Sequence, residues 1–120
     1  MAFTKTRRKA EPAGMIAELA YWDERHNGVR VPFVLETNQV AVSCVITRWA
    51  AQALAASAPP LTPRECFGVA HRHMREVASI ARKKVAARNG GRHGAVLIER
   101  ADVVAARQGA RHADLGNART

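Results

Sequence analysis

Between Thr62 and Gly90 the chain carries the punctuation and periodicity of one long helix, so any fold it adopts must bury one side of that helix. Thr62-Pro63-Arg64-Glu65 sets a hydroxyl at the N-cap, proline at the first helical position where no N–H is needed, and glutamate at N3 to reach back to the cap. Phe67, Ala70, Met74, Val77, Ala78, Ala81 and Val85 recur at three- and four-residue steps and share one side of a rod that turns about 100° per residue. Arg64, Arg72, Arg75, Arg82 and Lys83 fall on roughly the opposite side. Asn89-Gly90-Gly91 supplies the left-handed residue that ends a helix. The stretch predicts a helix over 62–88 with a buried face and a wet, cationic one.

The partner of the buried face lies upstream. Ile16 to Trp22 is apolar enough for a first strand, with Asp23 to Gly28 as its turn, and Asn27-Gly28 suits a tight reversal because both residues tolerate positive φ. Val29, Val31, Phe33 and Leu35 alternate with Arg30, Pro32, Val34 and Glu36, the period of a half-buried strand. Pro32 lacks an N–H and points to an edge position or a bulge. A second alternation sets Val40, Val42, Cys44 and Ile46 on one face, completing a hairpin. Thr47 caps a short helix through Ala56, in which Trp49, Ala50, Ala53 and Leu54 make the apolar contact, and Ser57-Ala58-Pro59-Pro60 breaks it. Ala95-Val96-Leu97-Ile98 is too short for a helix and suits a buried strand joining the same sheet. Asp102 caps a last short helix through Gln108.

The predicted fold is therefore α+β: a small antiparallel sheet packed on one long amphipathic helix and a short one. Residues 1–14 read as a flexible basic arm, 15–108 as a single domain, and 109–120 as a disordered tail. Of the 120 residues 24 are Ala, so large apolar side chains are few and the core is thin, a deficit that a homodimer interface would supply. No run approaches the roughly 18 apolar residues that span a bilayer, and two cysteines make no disulfide framework, which sets the cytoplasm as the expected compartment.

Charge is the other strong feature. The net value is +9, and the half after residue 60 carries most of it. Such a surplus attracts polyanions, with a salt dependence set by counterion release. The competing reading is compositional, since 15 of the 19 basic residues are Arg in an Ala-rich chain.

Catalytic and metal readings fail on spacing. His71 and His73 sit two apart, about 200° around a helix axis, and cannot share one ion. Cys66 and His73 share an azimuth but stand about 10 Å apart along it. Cys44 lies among Val40, Val42 and Ile46, the ordinary place of a buried thiol rather than a nucleophile. Asp23 and Glu24, adjacent in sequence, would point to opposite faces and read as turn residues. Asn89 to Gly94 is glycine-rich but precedes a strand, the reverse of a phosphate loop. The aromatic residues are wanted mostly by the core rather than as base-stacking platforms. Leu54 to Ala78 does not read as a helix-turn-helix, because the second helix is too long.

Several segments together resemble a small bacterial family known as domain of unknown function 1488. They are Trp22-Asp23, Val29 to Phe33 with Pro32, Val42-Ser43-Cys44-Val45-Ile46-Thr47, Ile80-Ala81-Arg82-Lys83-Lys84, and Val96-Leu97-Ile98 followed by Asp102. The resemblance spans about residues 16 to 104 and implies a compact cytoplasmic α+β domain; it transfers no active site. The chain departs from the family in Val85, where an aromatic residue commonly follows the basic cluster, and in its longer basic tails.

The functional expectation is a non-enzymatic accessory module without cofactor or metal, binding RNA or DNA backbone or an acidic protein. Arg64, Arg72, Arg75, Arg82 and Lys83 would form the surface, joined by Lys5, Arg7, Arg8 and Lys9 of the arm. The alternative is a protein-interaction or homodimeric module with no nucleic-acid role.

Overall fold

Four short runs of alternating or continuous apolar residues form one sheet, with helices packed against one face of it. The structure, a computed structural model, describes residues 15–34, 41–87 and 95–119. The expected arm, the turn after Val34 and the Asn89 to Gly94 stretch lie outside those residues. Strands β1 (Tyr21–Asp23), β2 (Gly28–Val34), β3 (Ala41–Thr47) and β4 (Val96–Ile98) are ordered β1-β2-β3-β4. Pairing is antiparallel for β1–β2 and β2–β3. It is parallel for β3–β4, so the sheet is mixed rather than antiparallel throughout. The chain reaches β4 only after crossing over through three helices, the kind of connection a parallel neighbour needs.

The expected alternation holds in β2, where Val29, Val31 and Phe33 are buried. In β3, Cys44 and Ile46 are buried on the same face, and Val45, opposite Arg30 and Leu97 in register, is buried on the other. Pro32 sits in β2 between two strands, yet costs the ladder nothing. Its carbonyl accepts from Ile16 N (3.1 Å) beyond the end of β1, so its missing N–H faces away from β3. The first strand is shorter than expected, because Ala17–Leu19 forms a 3₁₀ turn before it.

The helices are α1 (Arg48–Ala55), α2 (Pro63–Arg72), α3 (Met74–Ala87) and α4 (Arg100–Arg119). The capping box at Thr62 is present as read, with Thr62 Oγ1 accepting from Glu65 N (3.2 Å) and Glu65 Oε1 accepting from Thr62 N (2.8 Å). The single rod expected over 62–88 is instead interrupted at His73 (φ −107°, ψ 28°). Hydrogen bonds still cross the break, from His73 N to Val69 O and from Val77 N to His73 O, each 3.0 Å. No proline or glycine stands within a turn of it, so the cause is tertiary. α2 packs on β2 while α3 packs on β4, two strands whose directions a twisted sheet rotates apart. The burial stripe survives: Ala70, Val77, Ala78 and Ala81 are buried, and Phe67, Met74 and Val85 are partly so. Cys66, Val69 and Ile80 widen it.

Two further expectations change. Trp49 does not make the apolar contact of α1; it is 47% exposed, and Ala50, Ala51 and Leu54 are the buried residues. The last helix neither starts at Asp102 nor stops at Gln108. Asp102 lies at its third position and reaches back to Glu99 N (2.8 Å), and residues 109–119 continue the helix, their alanines and arginines being good helix formers. Among the described residues, no helix is long and apolar enough to cross a membrane.

A single arginine ties three helices together. Arg107 of α4 grips Glu76 of α3 with both prongs, Nε to Oε2 at 2.8 Å and Nη2 to Oε1 at 2.9 Å. It also donates to the Ala53 and Leu54 carbonyls at the end of α1 (3.2 and 3.1 Å). Ala53 O also accepts from Ala56 N (3.1 Å), where the chain turns out of the helix through Ala56 in the left-handed region (φ 54°). Lysine has the charge but not the fork. Arg107→Lys is therefore expected to lose about 1–2 kcal/mol in urea unfolding, with Arg107→Ala losing no less.

Gly28 is required for space. A Cβ there would run into the Ile46 carbonyl oxygen and stand 2.8 Å from Thr47 Cα, both backbone atoms of the neighbouring strand. Gly28→Ala should cost about 2–3 kcal/mol in the same measurement, because the strand pair has to separate to admit the methyl group.

Candidate functional site

The cationic face takes shape as read from the sequence. Arg64 and Arg72 stand on α2, Arg75, Arg82 and Lys83 on α3, and all five are exposed. Among the described residues none of the five is in an ion pair. Lys5, Arg7, Arg8 and Lys9 lie outside the described residues.

The acidic groups that would neutralise this face are engaged elsewhere. Glu65 closes the capping box and Glu76 is held by Arg107. Asp102 takes Lys84 Nζ at 2.8 Å, so that α3 cation is matched. Hydrogen bonds from Arg107 hold the Glu76 carboxyl below its ordinary range, with help from His73 Nδ1 at 3.6 Å, and Glu76 in turn raises Arg107.

Asp23, read as a turn residue, is instead a buried carboxylate at the end of β1. Its Oδ2 lies 2.9 Å from His26 Nδ1 and accepts Arg30 Nε at 2.8 Å, while Oδ1 accepts His26 N at 3.2 Å. Arg30 continues to Ser43 Oγ (2.7 Å), so the network crosses three strands on the face away from the helices. The His26 bond, followed by Arg30, holds the Asp23 carboxyl well below the usual carboxylate range against the opposing effect of burial. All of its partners come from its own hairpin or the next strand, and nothing in the arrangement presents an unused acid and base to a substrate.

The cysteines are core residues, as their neighbours implied. Burial pushes the Cys44 thiol up to about 12 and raises Cys66, so neither offers a thiolate near neutrality. Beside Cys66, Arg48 lies over the Trp22 ring with its guanidinium carbon 5.6 Å from the centroid. His71 is exposed, and His73 marks the helix break. Of the five described aromatics, Phe33 is buried in the core and Trp22 and Phe67 pack against it, as expected of most of them. Tyr21 and Trp49 stand about half exposed, Trp49 beside a surface cleft of about 350 Å³ with His26 and Arg100. The argument against a helix-turn-helix also changes ground: α2 is only ten residues long, and it is the seven-residue linker with Pro59 and Pro60, from Ala56 to Thr62, that is too long for such a turn.

A mixed four-stranded sheet covered by helices places the chain among small α+β domains. No protein-family model matches the chain, and no curated protein does. Among solved structures, the fold is similar to the crystal structure of a protein of unknown function from the DUF1488 family of Shewanella loihica PV-4. The TM-score is 0.57 at 15% identity, over 76% of this chain and 98% of that one. The likeness is one of fold, and it is the fold that the sequence resemblance implied.

The Asp23 network has a pH signature. Because its folded pKa lies below the unfolded value, its stabilisation is fully present above about pH 4 and is lost as pH falls from there toward the folded pKa. Asp23→Asn should therefore destabilise the protein near neutrality, and the gap to the wild type should narrow between about pH 4 and about pH 2. Urea titrations at a series of pH values measure it; a gap that stays constant through acid would contradict this account.

Proposed function

We propose that this chain is a non-enzymatic module that binds polyanions, the phosphate backbone of RNA or DNA, through the exposed face of α2 and α3, and that it does so in the cytoplasm. One observation carries the reading. The cations Arg30, Lys84 and Arg107 are matched with Asp23, Asp102 and Glu76, whereas Arg64, Arg72, Arg75, Arg82 and Lys83 are all exposed and unmatched among the described residues. A surface tuned only for solubility would mix both signs. Lys5, Arg7, Arg8 and Lys9 add charge upstream of Met15. Contacts of this kind position a phosphate chain without reading its sequence.

A second reading, a homodimeric or protein-interaction module, is favoured by the edge strand β1. Among the described residues it pairs only with β2, and Leu19 and Tyr21 beside it are more than half exposed. The two readings separate in one experiment. If the face binds phosphates, changing Arg72, Arg75, Arg82 and Lys83 together to Glu abolishes retention on heparin and on DNA, with the circular dichroism spectrum unaltered. The wild type should show log affinity falling linearly with log salt, at about 0.9 per phosphate neutralised on duplex DNA. Unchanged retention of the quadruple variant, together with a salt-insensitive dimer in light scattering, would replace the first reading with the second.

A further inference from the structure

Where α2 passes into α3, a cavity of about 490 Å³ opens between the helices and the sheet. Val29, Val31 and Ile46 of the sheet and Phe67 and Met74 of the helices line it, and every one of these groups is apolar. Its volume is in the range of small-molecule sites, which are mostly apolar with a few polar groups at one end. Its lining also carries one cation: Arg72, beside His71, is exposed, and neither is in an ion pair among the described residues.

Gly68 also lines the cavity, and its presence has no packing reason. It lies in the middle of α2, where glycine is a poor helix residue, and a Cβ added to it would meet no atom within 4 Å. Alanine would fit and make a better helix. As a lining residue it is a place where a longer side chain would compete for the cavity's space.

We propose that this cavity binds a small amphipathic anion of the fatty-carboxylate class, its alkyl tail against the partly exposed Phe67 and Met74, over the buried Val29 and Ile46, and its carboxylate at Arg72. The tail gains by leaving water, and the head meets a guanidinium that has no other acid to hold. The proposal is independent of phosphate binding by the outer face, although Arg72 stands at the border of both.

The test uses the full chain and three probes, sodium decanoate, 1-decanol and sodium acetate, followed by calorimetry and by chemical-shift changes of the cavity residues. Decanoate is expected to saturate a single site, with shifts at Met74 and Ile46, and acetate to leave those residues unmoved. Gly68→Leu should weaken decanoate by about tenfold or more by competing for the cavity's space, while heparin retention stays as in the wild type. Gly68→Ala should fold at least as stably as the wild type, which separates occlusion from unfolding. Arg72→Gln should weaken decanoate by about tenfold and leave decanol unchanged. No saturable binding of decanoate, binding indifferent to Gly68→Leu, or equal affinity for decanoate and decanol would each overturn the proposal. Loss of heparin binding in an outer-face variant that keeps Arg72, with Arg75, Arg82 and Lys83 changed to Glu, bears only on the other reading.

Discussion

The two layers of this protein meet at one hydroxyl. β3 passes into α1 with no intervening loop, and Thr47 is the junction residue. Its Oγ1 accepts from Ala50 N at 3.2 Å, which caps α1, and donates to the Ile98 carbonyl at 3.2 Å, which holds the end of β4 beside β3. The same atom thus sets where the strand stops, where the helix starts and which strand lies parallel to β3. Behind it, Arg48 N donates to Asn27 O (2.9 Å) and binds the first hairpin to the same corner. The bend at His73 belongs to this geometry: α2 is set down over β2, α3 must run over β4, and the helix has to change direction between them.

A thin core explains why so much else is tied by charge. Among the described residues Phe33 is the one aromatic side chain that is fully buried, and the rest of the fully buried set is Val, Ile, Cys and Ala. Where alanines leave helices loosely gripped, pairs of a basic side chain and a carboxylate supply contacts: Arg107 with Glu76 across α3 and α4, and Lys84 with Asp102 at the start of α4. Each pair is partly exposed, so each is worth little by itself. Arg107 gains by also capping α1, since it reaches two carbonyls of the last turn, where a helix runs short of backbone N–H partners.

What could be read from the sequence was what neighbours along the chain determine. The capping box at Thr62, the alternation of Val29, Val31 and Phe33, the cap at Thr47 and the outward set of basic residues each rest on contacts a few positions apart. The break at His73 was not legible, since its cause is the relative direction of two strands, which no local pattern encodes. Nor was Arg107, whose partners Glu76, Ala53 and Leu54 lie 31 to 54 residues away. Asp23 is intermediate. The acid, His26 and Arg30 all sit within one hairpin, and an aspartate two strand positions from Tyr21 with an arginine across the turn is a signal that could have shown a buried carboxylate. The adjacency of Glu24 drew the reading toward a turn. For the candidate site, exposure of the five cations was legible, whereas the cavity under Gly68 was not, because an empty volume leaves no mark on residue spacing.

The division of charge has an energetic consequence that bears on its use. Arg72 and Arg75 are three apart across the bend and Arg82 and Lys83 are adjacent, closer than the roughly 8–10 Å over which salt at physiological strength screens exposed charges. Like charges three apart on a helix, the spacing of Arg72 and Arg75, cost about a few tenths of a kcal/mol. A chain selected for stability alone would have placed a glutamate between them, as it placed Glu76 beneath Arg107. A bound polyanion removes that repulsion and so adds its own binding energy to the fold, while a neutral protein partner on the same face would leave the repulsion in place. The unrelieved face therefore argues for an anionic partner more strongly than the net charge does, because composition can give a chain many arginines but does not decide which of them are left without an acid.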